Sequence, residues 1–92
     1  MSREQAFEML IKILCKTDST DDMKLILECI LTRSEMEDLI DRIRIYNELL
    51  NTSNSQREVA SKLGVSITKI TRGAANLQDN NIKDFLRKKI SY

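Results

Sequence analysis

Proline is absent from these 92 residues, and glycine occurs only at Gly64 and Gly73. Sandwiches and barrels depend on many turns rich in both, so the shortage excludes them and leaves an all-α chain. Histidine is also absent, and the only cysteines are Cys15 and Cys29. A closed zinc site would then need carboxylates that no spacing in the chain gathers. Each cysteine lies beside an apolar helical stripe, where a small buried hydrophobe is expected; a disulfide or redox sensor is the alternative. No glycine-rich phosphate loop, paired carboxylates or nucleophile in a recognisable setting argues for an enzyme or a resident cofactor. No apolar run approaches the roughly 20 residues that cross a bilayer. The N-terminus, with Arg3 and Glu4, has no apolar signal core and cleavage site, so no membrane contact is expected and the cytosol is the expected location.

What is present is an ordinary globular balance, 41% hydrophobic and 32% charged, which argues against a disordered tail. Ninety-two residues suffice for one modest core and often recruit a partner copy. The net charge of +1 is uninformative, but its distribution is not. Residues 1–31 carry four basic and six acidic side chains, and residues 32–55 carry three and five. Residues 56–78 reverse the sign, with Arg57, Lys62, Lys69 and Arg72 against Glu58 alone, and residues 79–92 add a further excess of two. A basic face is thus concentrated in the C-terminal half, where an electrostatic footprint for nucleic acid would lie.

Helical periodicity divides the chain into six segments. Ala6, Met9, Leu10, Ile13 and Leu14 make a stripe within residues 2–16. Met23, Ile26, Leu27, Ile30 and Leu31 make a second, capped by Ser19 or Thr20 and ending near Thr32. Ser34 with Glu37 forms a capping-box pattern before a third and longest helix, with Met36, Leu39, Ile40, Ile43 and Leu50, that runs to the polar segment 51–55. Ser55 with Glu58 opens a short fourth helix that Gly64 can close in the left-handed cap. Ser66 can cap a fifth, with Ile67, Ile70, Ala74 and Leu77. After Asp79, Asn80 and Asn81 a sixth presents Ile82, Phe85, Leu86 and Ile90. No repeat, low-complexity segment or linker marks a boundary, so residues 1–92 are expected to act as a single domain.

The run from Gln56 to Leu77 packs a short helix, a tight turn and a second helix into some twenty residues, which is the pattern of a helix-turn-helix. Close crossing needs a small residue on the first helix, a glycine at the turn and a branched residue on the second. Ala60, Gly64 and Ile70 supply them at offsets of four and six. In such a unit the second helix enters the major groove of double-stranded DNA with its N-terminal residues toward base edges, which nominates Ser66, Ile67, Thr68 and Lys69. The first helix lies over the backbone, where Gln56 and Arg57 can donate to phosphate and Arg57 can reach a base. The alternative is a helical hairpin with a solvated basic face.

The segment Ile67 to Leu77, with Ile70-Thr71-Arg72-Gly73 at its centre, closely resembles the signature of the tryptophan repressor family. Leu31-Thr32, Arg42-Ile43-Arg44-Ile45 and Glu48-Leu49-Leu50 resemble the family's stretch before the DNA-binding unit at matching spacing. The resemblance covers about residues 20–90, the first helix matching only in general character. It implies a six-helix interlaced homodimer, an operator-binding repressor, and L-tryptophan as corepressor in control of tryptophan biosynthesis or transport genes. Periodicity alone does not separate an interlaced dimer from a bundle.

The resemblance also implies site residues. Arg42 and Arg72 match the pair that flanks the indole, with Arg72 pairing the carboxylate through a charge-assisted bond. Gly73 matches the close approach of backbone to the ring. Thr32 and the carbonyls of Leu27, Cys29 and Leu31 from the partner chain match the positions around the ligand's polar end. The unspecialised readings are a surface ion pair of Arg42 with Asp38 or Asp41, and a phosphate contact alone for Arg72; Thr71 joins Arg72 among the candidate DNA contacts. Four departures stand out. Asn76 replaces a serine near the ligand's polar group, Ala60 a lysine, Lys69 a threonine, and Ala74-Ala75 a serine-asparagine pair. Asn76 keeps open a helix-turn-helix regulator that binds DNA constitutively or responds to another small ligand; a helical adaptor that binds protein only is a further alternative.

Overall fold

The computed structural model describes residues 1–90. They form six α-helices and, among the described residues, no strand: α1 (Arg3–Lys16), α2 (Thr20–Ile30), α3 (Arg33–Asn51), α4 (Gln56–Leu63), α5 (Ile67–Asn76) and α6 (Asn80–Ile90). Each begins on a side-chain oxygen that satisfies amides the helix leaves unpaired. Ser19 and Ser66 cap α2 and α5. At α4, the Ser55 hydroxyl accepts from the Glu58 N–H at 3.2 Å while the Glu58 carboxylate accepts from the Ser55 N–H at 3.2 Å. Asp79 Oδ1 accepts from the Asn81 N–H at 2.9 Å at the start of α6.

Two boundaries differ from the sequence expectation. The second helix ends at Ile30, and the cap of α3 is Thr32, not Ser34. The Thr32 hydroxyl accepts from the Glu35 N–H at 3.1 Å and the Glu35 carboxylate accepts from the Thr32 N–H at 2.9 Å. Two overlapping capping-box patterns, Thr32 with Glu35 and Ser34 with Glu37, compete here, and the earlier one starts the helix two residues sooner.

The chain divides into two compact units, Met1–Met36 and the residues from Glu37 onward. In the first, neither α1 nor α2 has a buried residue. Cys15 and Cys29 are free and exposed in the single chain, which corrects the expectation that they are small core residues. The apolar stripes beside them are only half covered, with Leu10, Leu14, Met23, Ile26 and Leu27 partly buried, and Phe7, Leu25 and Ile30 are exposed.

The second unit has the core, Ile45, Val59 and Ile70, with Leu49, Ala60, Leu63 and Val65 packed around it. This corrects the reading of α3. Its inward face carries Ile45 and Leu49, whereas Ile40 and Ile43 are 53% and 55% exposed. The helix is apolar on two faces, and counting stripes favours the one that this unit does not bury. At the end of α4, Gly64 has φ 67°, a left-handed conformation that glycine adopts without a Cβ penalty. Its N–H donates to the Ala60 carbonyl at 2.9 Å. The chain thereby reverses in three residues, and α4 packs on α5 through Val59 and Ile70. Two polar ties hold the end of α4 to α3. Arg44 Nη2 donates to the Leu63 carbonyl at 3.0 Å, and Lys62 Nζ lies 3.0 Å from Glu48 Oε1.

Candidate functional site

A half-open cleft of about 160 Å³ runs between α3 and α5. Its walls follow from helical spacing. Asp38, Asp41, Arg42, Ile45 and Tyr46 lie on one face of α3, and Lys69, Arg72, Gly73 and Asn76 lie on the facing stripe of α5, with Thr68 beside them. Gly73 permits the approach. A Cβ built there would stand 2.9 Å from Ile45 Cγ2 and 3.8 Å from Tyr46 Cε1, so any side chain would push the helices apart.

The polar groups of the cleft divide into two sets. At one end Asn76 Nδ2 donates to the Tyr46 hydroxyl at 2.9 Å. At the other, Lys69 Nζ lies 3.2 Å from Asp38 Oδ1 and 3.2 Å from Asp41 Oδ2, and Asp41 Oδ1 receives Arg44 Nη1 at 3.2 Å. The Lys69 hydrogen bond, with Arg44 behind it, holds the Asp41 carboxyl below its ordinary 3.8. Reciprocally, the bonds from Asp41 and then Asp38 hold the Lys69 ammonium above its ordinary 10.5. Arg42 and Arg72, between these ends, are exposed and form no ion pair among the described residues. The carboxylates that could have tied Arg42 down are taken by Lys69 and Arg44. Both guanidinium groups are left available to an anion.

Of the residues singled out for a ligand, the cleft brings together Arg42, Arg72, Gly73 and Asn76. Leu27, Cys29, Leu31 and Thr32 belong to the unit Met1–Met36 and are not among its lining. The Leu27 carbonyl accepts from the Leu31 N–H at 2.9 Å and the Thr32 hydroxyl caps α3. Of the residues singled out for DNA, Gln56 and Arg57 are exposed on the first turn of α4. Ser66, Ile67, Thr68 and Lys69 form the exposed start of α5. Thr71 Oγ1 lies 3.0 Å from the Ile67 carbonyl and 3.2 Å from Gln56 Oε1, so it has a bond to give to one of them at a time. Lys69 is the exception in this group, because its ammonium is turned onto α3. Sequence reasoning misses Tyr46, and it misses the role of Asp38 and Asp41 toward Lys69. The signal is present: 38, 41, 42, 45 and 46 share one helical face.

Residues 5–90 match the family model described as Trp repressor protein. The chain belongs to the Trp repressor family. It is 99% identical over 92 residues to a Trp operon repressor homolog of Xylella fastidiosa, covering 100% of each chain. It is 34% identical over 89 residues to one of Chlamydia trachomatis serovar D, covering 95% of each. With one of Photobacterium profundum it shares 38% identity over 71 residues, 75% of this chain and 67% of that one. The family places the chain among repressor-type regulators. None of the helices among the described residues is long and apolar enough to cross a membrane.

Proposed function

We propose that this member of the family is a cytoplasmic, dimeric DNA-binding repressor with L-tryptophan as corepressor, controlling tryptophan biosynthesis or transport genes. The observation that carries this reading is the α3–α5 cleft. It sets two unpaired guanidinium groups, Arg42 and Arg72, over a floor opened by Gly73. An amino acid with a flat side chain needs a cation for its carboxylate and a slot for its ring. Arginine supplies the charge and stacks on aromatic faces, and a cavity of about 150 Å³ is already enough to take up a benzene ring. Asn76, fixed by Tyr46, keeps its carbonyl oxygen for the ligand's polar end. Thr32 and the carbonyls of Leu27, Cys29 and Leu31 complete the site from the second copy.

Support for the second copy comes from uncovered apolar surface. Phe7, Leu25, Ile40, Ile43 and Phe85 are each more than half exposed, and soluble monomers seldom leave such surface open. In the interlaced dimer residues 1–92 act as a single domain, and the outer face of α3 lies against the partner. Sedimentation at micromolar concentration should give one species near twice the 10.7 kDa chain mass; a folded monomer there refutes the assembly.

In the same reading α4 and α5 are a helix-turn-helix unit. Gln56 and Arg57 meet phosphate, and Ser66, Ile67, Thr68, Lys69, Thr71 and Arg72 face the major groove or its edge. Gel-shift and footprinting on the DNA upstream of the chain's own gene and of tryptophan biosynthesis and transport genes test partner, ligand and coupling together. The expected result is protection that strengthens with tryptophan; equal binding with and without it refutes the corepressor role.

A second reading, a regulator that binds DNA constitutively or answers to another small ligand, draws on the Asn76–Tyr46 bond at the end of the cleft, where the family pattern has serine. Calorimetry with tryptophan, indole and other amino acids distinguishes the two.

A further inference from the structure

The cluster at one end of the cleft, Lys69 with Asp38 and Asp41, has no part in the ligand contacts above. Lys69 is the third residue of α5, in the turn capped by Ser66 whose other side chains, Ile67 and Thr68, are exposed. Its ammonium is nevertheless drawn back to α3, at 3.2 Å from a carboxylate oxygen on each of two positions three residues apart. Arg44 anchors the far oxygen of Asp41, while Asp38 pairs with Lys69. The side chains of Lys69, Asp38 and Asp41 are 45%, 51% and 22% exposed, so the cluster is open to solvent and to an incoming anion.

We infer that Asp38 and Asp41 act as an internal substitute for DNA phosphate: they hold the Lys69 ammonium on α3 and withhold it from the duplex until a backbone phosphate displaces them. The inference rests on the DNA-binding reading above. Its chemistry is simple. Carboxylate and phosphate offer the same anionic oxygen to an ammonium, and lysine is a point charge on a flexible stem with no planar geometry to satisfy. A lysine that starts free releases a counterion from DNA when it neutralises a phosphate. Lys69 starts neutralised. When it crosses to phosphate, the vacated carboxylates recruit cations of their own, so the exchange is close to neutral in ions released. Asp38 and Asp41 therefore lower operator affinity and flatten its salt dependence, although neither touches DNA.

The test uses the full-length chain and a duplex selected from random-sequence DNA by the protein itself, with affinities measured between about 50 and 200 mM salt. Four proteins form a cycle: parent, Asp38→Asn/Asp41→Asn, Lys69→Gln, and all three changes together. Freeing Lys69 lets each bound chain release one more counterion, which steepens the salt slope by about 0.9 per chain, or about 1.8 for the dimer, and makes parent and Asn variant diverge by roughly 12-fold across that range. With Gln at 69, the two Asn changes should no longer add that slope, and Lys69→Gln alone should alter the parent little. A gain from the Asn changes that is equal with and without Lys69 overturns the inference, because the carboxylates would then act by plain repulsion of the duplex or through Arg44. Retention of no duplex by parent or variant overturns the DNA-binding reading and this inference with it, whereas binding by all four with parallel salt slopes overturns the inference alone. Circular dichroism of each variant checks that the helices are kept.

Discussion

Replacing Gly73 by alanine tests the geometry of the cleft most directly, because two effects of known size oppose each other there. Gly73 is a helix-interior glycine, and alanine is favoured over glycine at such a position by about 0.8–1.0 kcal/mol. Against this, the new Cβ would stand 2.9 Å from Ile45 Cγ2. That atom is the branch of a β-branched side chain only 1% exposed, so it cannot swing away as the end of a surface side chain would. Forcing a methyl into a packed core costs typically about 1–3 kcal/mol. The clash therefore wins, with a net loss near 1 kcal/mol for Gly73→Ala. The sharper expectation is the coupling. Ile45→Ala alone leaves a cavity at a cost of about 2–5 kcal/mol, but it also removes the atom that the new methyl meets. The double variant should be more stable than the sum of the two single changes by at least about 1 kcal/mol. Urea unfolding at one fixed protein concentration measures all four corners, since assembly makes apparent stability depend on concentration. Additivity within about 0.5 kcal/mol, or a Gly73→Ala chain more stable than the parent, would refute the contact.

Gly64 should fail for the opposite reason. Nothing lies within 4 Å of a Cβ built there, so Gly64→Ala should lose roughly 1–2 kcal/mol from the left-handed backbone alone, and Gly64→Asn, which tolerates that region better, should lose less in thermal melts. The pH dependence of the Lys69 cluster has a definite sign on each side. Because Asp41 is held below 3.8, its contribution to stability is present above that pH and is lost as pH falls through the lowered value. Because Lys69 is held above 10.5, its contribution is full below 10.5 and is lost as pH rises through the raised value. The stability difference between parent and Asp41→Asn should then be level from about pH 5 to 9 and shrink below 3.8; a change near neutral pH would contradict the pairing. Arg57→Ala, at an exposed arginine without an ion-pair partner among the described residues, should weaken operator binding more than Lys69→Ala does, with circular dichroism unchanged.

Local signals in the sequence suffice where one residue decides the outcome. Ser55 with Glu58, Ser66 and Gly64 each set a helix end through their own chemistry, and each does so in the structure. Ile70 falls in the core by the spacing rule for crossing helices. Where two solutions have similar local merit, the sequence does not choose between them: Thr32 wins over Ser34 as a cap, and the Ile45–Leu49 face of α3 over the Ile40–Ile43 face. Val59 escapes notice because α4, with Val59, Ala60 and Leu63, is too short to show a periodic stripe, and only the packing of α5 against it makes it central. Arg42, Arg72, Gly73 and Asn76 come from the family resemblance and are found along one cleft. Asp38, Asp41 and Tyr46 need the three-dimensional pairing of α3 with α5. An acidic residue in a sequence does not announce which cation it will hold.

Arg72 belongs to both sets of candidate contacts, and this makes it the position where ligand and DNA can be separated. It lines the cleft, and it lies one turn beyond Lys69 on the helix whose start faces the groove. On the corepressor reading, a tryptophan held by Arg42 and Arg72 fixes α5 against α3 and so fixes where Ser66, Ile67 and Thr68 point. Linkage then requires that tryptophan and operator raise each other's affinity by one common factor, typically about 5–150-fold. Arg72→Ala should abolish that factor, but loss of operator binding in the variant would be ambiguous, because a phosphate contact alone predicts it too. Calorimetry on the free protein removes the ambiguity. A corepressor contact requires tryptophan affinity to fall in Arg72→Ala before any DNA is added, whereas a pure phosphate contact leaves it unchanged. An unchanged affinity there, with operator binding lost, would move Arg72 out of the ligand site and leave Arg42 as the cleft's remaining arginine for the carboxylate.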